Sequence, residues 1–306
     1  MLAFWILFNL FALGMLVLDL RVFHHAGRIV SPREALGWSA LWVILAAIFA
    51  IVLYFWQGQQ TTLEFVTGYV LELSLSIDNL FIFLLIFRFF AVPEEQQHRV
   101  LFWGVIGALV LRGIFITAGV GLIHRFHWVL YFFGALLIYS GIRFLWGPHQ
   151  VDPKKNPVVK IFRRALPMTE SYEGGKFLVR GWRGNPGLFA TPLLLVLVII
   201  ETTDVLFAVD SIPAILAITL NAFIVYTSNV FAILGLRSMY FAVAELIKIF
   251  RFLHYGLAAV LILVGAKMLA AGHVRIPTGA MLGTVAGILL ISVLASVVFP
   301  AAKEAA

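Results

Sequence analysis

The chain has 306 residues, 62% apolar and 12% charged, with a mean hydropathy of +1.01. Soluble domains are nearer half apolar and a quarter charged, and disordered chains are poor in Phe, Leu and Ile, so both classes are excluded. The net charge of +7 gathers in a few connections between apolar runs, as membrane orientation rather than nucleic-acid binding requires, and there is no cysteine for a disulfide, thiolate ligand or thiol nucleophile.

A helix needs about 20 mostly apolar residues to cross the hydrocarbon core. In chain order the qualifying runs are Leu2–Leu20, Ala35–Trp56, Leu63–Phe90, Val100–Ile123, Trp128–Trp146, Gly187–Ile218, Ala222–Leu246, Tyr255–Ala271 and Thr278–Pro300, nine in all. Trp38, Trp56, Trp128 and Trp146 stand at span ends, where amphipathic rings sit at headgroup level. No basic residue precedes the first run, so a cleaved signal peptide is not expected there.

Lys and Arg set the predicted orientation. The first connection carries Arg21, Arg28 and Arg33, the third Arg88 and Arg99, and the seventh Lys248 and Arg251. The fifth, 147–186, carries eight: Lys154, Lys155, Lys160, Arg163, Arg164, Lys176, Arg180 and Arg183. The even connections carry only Arg125 and Arg275. Positive charge stays inside, which predicts an external N-terminus and a cytoplasmic C-terminus in a bacterial plasma membrane. Within the basic connection, Val158–Leu166 alternates apolar and basic faces, as a helix lying on the membrane surface would, and Lys176–Arg180 suits a short strand.

The halves of the chain match. Glu72, five residues, Asp78 and Asn79 in the third span correspond to Asp204, five residues, Asp210 and Ser211 in the sixth. Leu111-Arg112 in the next span corresponds to Leu236-Arg237, and Gly141-Ile-Arg143 to Gly265-Ala-Lys267. The expected fold is therefore an all-α membrane protein with nine transmembrane helices in one domain, 1–306. Repeat one would occupy 63–146, the cytoplasmic basic connection 147–186, and repeat two 187–271. A unit of three helices has odd count, so the second copy is inverted, as in secondary transporters with a midplane site.

Glu72, Asp78, Glu201, Asp204 and Asp210 lie well inside apolar runs, and Asp19 near the end of the first. A carboxylate at the bilayer centre costs roughly 3 kcal/mol, which makes each a functional candidate. Structural ion pairs would explain one such acid more easily than five on two equivalent spans. Arg112 and Arg237 are the expected counterions and gates, but two cations leave an excess of negative charge that a divalent ion would offset. Glu72, Ser76 and Asn79 share one helix face, as do Asp204, Ala208 and Ser211, with Glu201 one turn earlier. Asp78 and Asp210 lie about 120° away, addressing another neighbour or marking an unwound segment, for which Pro213 is the stronger cue.

All eight His residues lie in connections or at span ends, so the interior offers only oxygen ligands, which suit Mg, Ca and Mn. The segments Gly68–Glu72, Ile77–Ile82, Leu166–Thr169, Lys176–Arg180, Ala190–Pro192, Glu201–Ala214 and Asn229–Phe241 resemble the TerC family of membrane proteins, the Alx-like branch most closely. The similarity runs from about Asp19 to Lys267. It implies manganese efflux, within the wider group that includes LysE-type exporters. It also implies ion ligation by Glu72, Asp78, Glu201, Asp204 and Asp210, with Asn79 and Ser211 adjoining. The expected partners are a divalent metal ion as cargo and the lipid bilayer, with no resident cofactor, no nucleic acid and no enzymatic activity.

Three rivals stand beside this expectation. A membrane scaffold or assembly factor would use its buried acids only to hold helices together. An exporter of calcium or a cationic amino acid would share the architecture. An intramembrane aspartyl protease needs Tyr-Asp and Gly-x-Gly-Asp, whereas the buried Asp residues here follow Ile77, Thr203 and Val209.

Overall fold

The computed structural model describes residues 2–23, 32–145, 157–246, 252–271 and 276–299. Its helices are α1 (Leu2–Phe23), α2 (Pro32–Gln57), α3 (Gln59–Phe89), α4 (Glu94–Arg125), α5 (Val129–Leu145), α6 (Pro157–Ala165), α7 (Pro192–Leu216), α8 (Ala222–Leu246), α9 (Leu253–Leu269) and α10 (Thr278–Val298). Strands β1 (Leu178–Trp182) and β2 (Asn185–Ala190) lie between α6 and α7.

Six helices, α2, α3, α4, α7, α8 and α10, are long and apolar enough to cross a membrane. Three more apolar stretches, Phe4–Leu18 in α1, α5 and α9, are shorter; the 17 residues of α5 and of α9 give a rise of about 25 Å each. Large apolar side chains point outward on these helices, among them Phe55, Leu206 and Ile291, at 83%, 68% and 67% exposure. Such a surface is stable against lipid and not against water.

Helix pairs show consistent relative directions. Going along α4, a methyl group at Gly104 would touch Ile200, one at Gly107 would meet Glu201, and one at Gly119 would meet Leu216, so α4 and α7 run the same way. In α5 and α9 the order reverses: Gly134 abuts the Gly265 carbonyl, and Gly141 abuts the Ala258 carbonyl, at 3.0 and 2.8 Å from the added Cβ. These two helices are antiparallel and meet backbone to backbone, an approach only glycine permits.

The expected surface helix is α6, and the expected strand is β1, extended to Trp182. The sixth apolar run does not begin as a helix, however. Residues Asn185–Ala190 pair antiparallel with β1, from Leu178 opposite Ala190 to Trp182 opposite Asn185. Arg183 and Gly184 turn the hairpin with φ of 48° and 81°, the left-handed pair that a two-residue turn of this hand demands. The fold is thus mostly rather than entirely helical. Thr191 then donates to the Lys176 carbonyl at 2.7 Å, and Pro192 opens α7 at a position where its missing N–H costs nothing. Tyr172 fastens the same connection to the end of α3 by donating to the Phe90 carbonyl at 2.5 Å.

Candidate functional site

The helical stripe read from α3 is buried as a unit: Glu72, Ser76 and Asn79 are 1%, 1% and 4% exposed. The matching stripe of α7, Asp204, Ala208 and Ser211, is buried too. Arg112, from α4, stands between them. Its Nη1 bonds the Glu72 carboxylate and also donates to Asn229 Oδ1 of α8 at 2.7 Å and to Ser211 Oγ at 3.3 Å. Its Nη2 lies 3.5 Å from Asp204 Oδ1. Ser76 Oγ donates to Glu72 Oε1 at 3.4 Å. One guanidinium therefore answers two carboxylates, one from each half of the chain.

Asp204 is only half satisfied. Its Oδ2 is buried and makes no hydrogen bond to the described residues. Beside it, Asp204 and Glu201 line a cavity of about 20 Å³ together with Arg237 and apolar side chains such as Leu80, Phe83 and Val105. That volume holds one water or one small ion. Glu201 reaches this place because residue 107 is glycine: a methyl group there would run into the Glu201 carboxylate.

Asp78 and Asp210 address a different flank, as their 120° offset predicts. Asp210 Oδ1 accepts from Ser140 Oγ of α5 at 2.5 Å. Asp78 is half-buried on the corresponding flank of α3. The offset does not arise from unwinding: α7 is helical throughout Pro192–Leu216, with Pro213 inside it, and α3 is continuous over 31 residues. Tertiary packing on both sides of α7 holds Pro213 within the helix; its missing N–H leaves the Val209 carbonyl without the usual donor. Asp19 lies in α1, with its side chain outside the described residues.

The five predicted ligand acids are accordingly distributed rather than gathered. Glu72 and Asp204 share Arg112, Glu201 and Asp204 share the small cavity, and Asp210 bonds Ser140. Among the described residues no three His, Cys, Asp or Glu side chains converge to hold a metal ion. Arg112 pairs with Glu72 and Asp204, and Arg237 is buried and lines the small cavity. Sequence reasoning did not single out Asn229, Ser140 or Gly107. A polar or small residue inside an apolar span was the available signal for each.

The family model described as integral membrane protein TerC family matches residues 57–304. An uncharacterized membrane protein of Myxococcus xanthus is 46% identical over 295 residues, covering 96% of this chain and 92% of that protein. Alx of Salmonella typhi is 45% identical over 288 residues, covering 91% of this chain and 88% of that protein. Alx of Escherichia coli K12 is 43% identical over 289 residues, covering 91% and 89%. Both Alx proteins are provisionally named membrane-bound redox modulators. No solved structure matches the chain.

Proposed function

Because the chain belongs to the integral membrane protein TerC family, we propose that it is a multi-pass transporter exporting a divalent cation, Mn2+ foremost, across a bacterial plasma membrane. The observation that carries the proposal is Asp204. A buried carboxylate oxygen with no donor among the described residues, on a side chain that lines a one-ion cavity with Glu201, calls for positive charge beyond what Arg112 supplies. The ligating side chains among the described residues lining it are the carboxylates of Glu201 and Asp204, and oxygen ligands favour hard cations.

Arg112 is placed to compete with a cation for the site's carboxylates. Its guanidinium supplies the positive charge that Glu72 and Asp204 need when no metal is present. It is also bonded to two neutral acceptors, Asn229 and Ser211. Those acceptors can keep hold of it when the carboxylates turn to an arriving ion. Ion and arginine thus compete for the same pair of acids, one from each half. Binding metal requires carboxylates without protons, so exchange of Mn2+ for protons is the coupling we assign.

The same proposal includes nine spans, an inverted repeat and a cytoplasmic basic connection. It draws support from the α5–α9 contact. The match between the halves equates Gly141 with Gly265, and the same offset equates Gly134 with Ala258. The contacts Gly141–Ala258 and Gly134–Gly265 therefore exchange with one another when the repeats are swapped. At 17 residues, α5 and α9 are at the short end of the spanning range, about 17–25.

Modulation of redox state by thiol exchange is closed to this chain, which has no cysteine. The test is Mn2+ efflux from proteoliposomes, comparing the wild type with D78N and D210N. These acids lie outside the Arg112 pairing, and the amide oxygen introduced by D210N would still accept from Ser140, so both variants should fold. A loss of flux of at least tenfold with an unchanged melting temperature supports the assignment. Undiminished flux in both variants, or a wild type with neither flux nor metal-dependent stabilisation, would favour the scaffold instead.

A further inference from the structure

We propose that the groove between α4 and the basic connection is a binding site for the headgroup of an anionic phospholipid. The groove has a volume of about 390 Å³, within the range of small-ligand sites, roughly 300–1,000 Å³. Its cationic lining comes from three places: Arg99 on α4, Lys176 before β1, and Arg237 on α8. No carboxylate is among the described residues that line it. Phe102 and Trp103 supply the apolar wall, and Trp103 is 50% exposed on the outer surface of α4.

This combination fits a lipid better than a free anion. A soluble anion gains nothing from an exposed indole and a phenyl ring beside the cations. A phospholipid would place its phosphodiester against Arg99 and Lys176 while its acyl chains run down α4 past Trp103. Basic pockets between spanning helices on the cytoplasmic side hold anionic headgroups by this arrangement of charge and apolar surface. Arg99 is geometrically fixed for the role. One N–H donates to the Gly175 carbonyl at 2.8 Å, and a guanidinium has five N–H groups in all. Gly175 has φ of 80°, and a side chain there would press on Arg99, its Cβ lying 3.3 Å from Nη1.

Arg237 makes the groove relevant to the interior. It lines this groove and also the small cavity of Glu201 and Asp204. A phosphate on one side and two carboxylates on the other would then share its charge.

The experiment is lipid-dependent thermal stability of the full chain in nanodiscs of phosphatidylcholine alone or with phosphatidylglycerol. Variants are R99Q/K176Q and, as a control of equal charge loss, R180Q/R183Q on the hairpin. A basic group near an anionic surface contributes about 1 kcal/mol, about fivefold in affinity, so losing two predicts about 25-fold weaker phosphatidylglycerol binding. R99Q/K176Q should lose the phosphatidylglycerol-dependent stabilisation, measured against its own melting temperature in phosphatidylcholine, while R180Q/R183Q keeps it. Equal losses in both variants, or none in R99Q/K176Q, overturns the site. Stabilisation by inorganic phosphate in detergent, matching that by phosphatidylglycerol, overturns the lipid in favour of a soluble anion. If the double variant does not fold in phosphatidylcholine, K176Q alone, at an exposed position, is compared by the same measure.

Discussion

Replacing Arg112 by Met keeps most of the side-chain volume and deletes the charge. Arg112 is 1% exposed, and its partner Glu72 is equally buried, so the variant strands Glu72 and most of Asp204 without a counterion. Removing one member of a buried pair typically costs about 3–5 kcal/mol. With the per-residue unfolding entropy of globular proteins and 306 residues, that is a fall of about 5–8 °C in melting temperature. The triple variant R112M/E72Q/D204N removes both charges along with their partner and should recover most of the loss, since replacing a whole buried ionic cluster is often neutral. Competition between arginine and metal adds a sharper expectation. Added Mn2+ should stabilise R112M more than wild type, because the acids no longer have an internal cation to surrender. Thermal melts of purified protein with and without Mn2+ measure both effects. A drop of less than 1 °C in R112M, or a Mn2+ shift no larger than that of wild type, would refute the reasoning.

Packing supplies three further expectations. G107A should force the Glu201 carboxylate aside and lower Mn2+ flux several-fold, whereas G104A, whose new methyl would sit 3.5 Å from Ile200, should transport normally in the same liposomes. G265A places a methyl 2.6 Å from the Gly134 carbonyl and should destabilise the α5–α9 crossing, while G121A, with nothing within 4 Å, should melt at or slightly above the wild-type temperature. Y172F removes the hydrogen bond to Phe90, worth about 1 kcal/mol, and should speed proteolysis of the basic connection. Burial pushes the Tyr172 phenol above its ordinary 10.0, so its contribution to docking is complete below that pH and lost as pH rises beyond. In wild type, cleavage of the connection should therefore accelerate above about pH 10, and Y172F should lack that component.

Much of the site was legible because charge is so costly in lipid. Glu72, Ser76 and Asn79, and their counterparts on α7, were placed on buried stripes by helical spacing alone, and the structure buries them. The 120° offset of Asp78 and Asp210 was likewise legible, and Asp210 does turn to another helix, at Ser140. What spacing along one helix does not contain is which helix lies opposite. The pairing of Arg112 with acids from both halves depends on the crossing of α4 with α3 and α7, as does the seat that Gly107 leaves for Glu201. Pro213 left unwinding open as one of two readings, because its backbone lacks a donor, and α7 is helical through it. Residues 187–190 were read as helix because apolar content alone does not separate a strand from a span; the Arg183-Gly184 turn was the signal that did.

The crossing of α5 and α9 has a mechanical consequence. Where helices interlock through long side chains, rotating one against the other means climbing over knobs, with a rotamer change at each step. Here backbone touches backbone at Gly134, Gly141 and Gly265, and Ile138 and Ile262 press against the same glycines, so that resistance applies in full. The crossing acts as a clamp, joining α5 and α9 into one unit, so any relative movement of helices has to pass through other contacts.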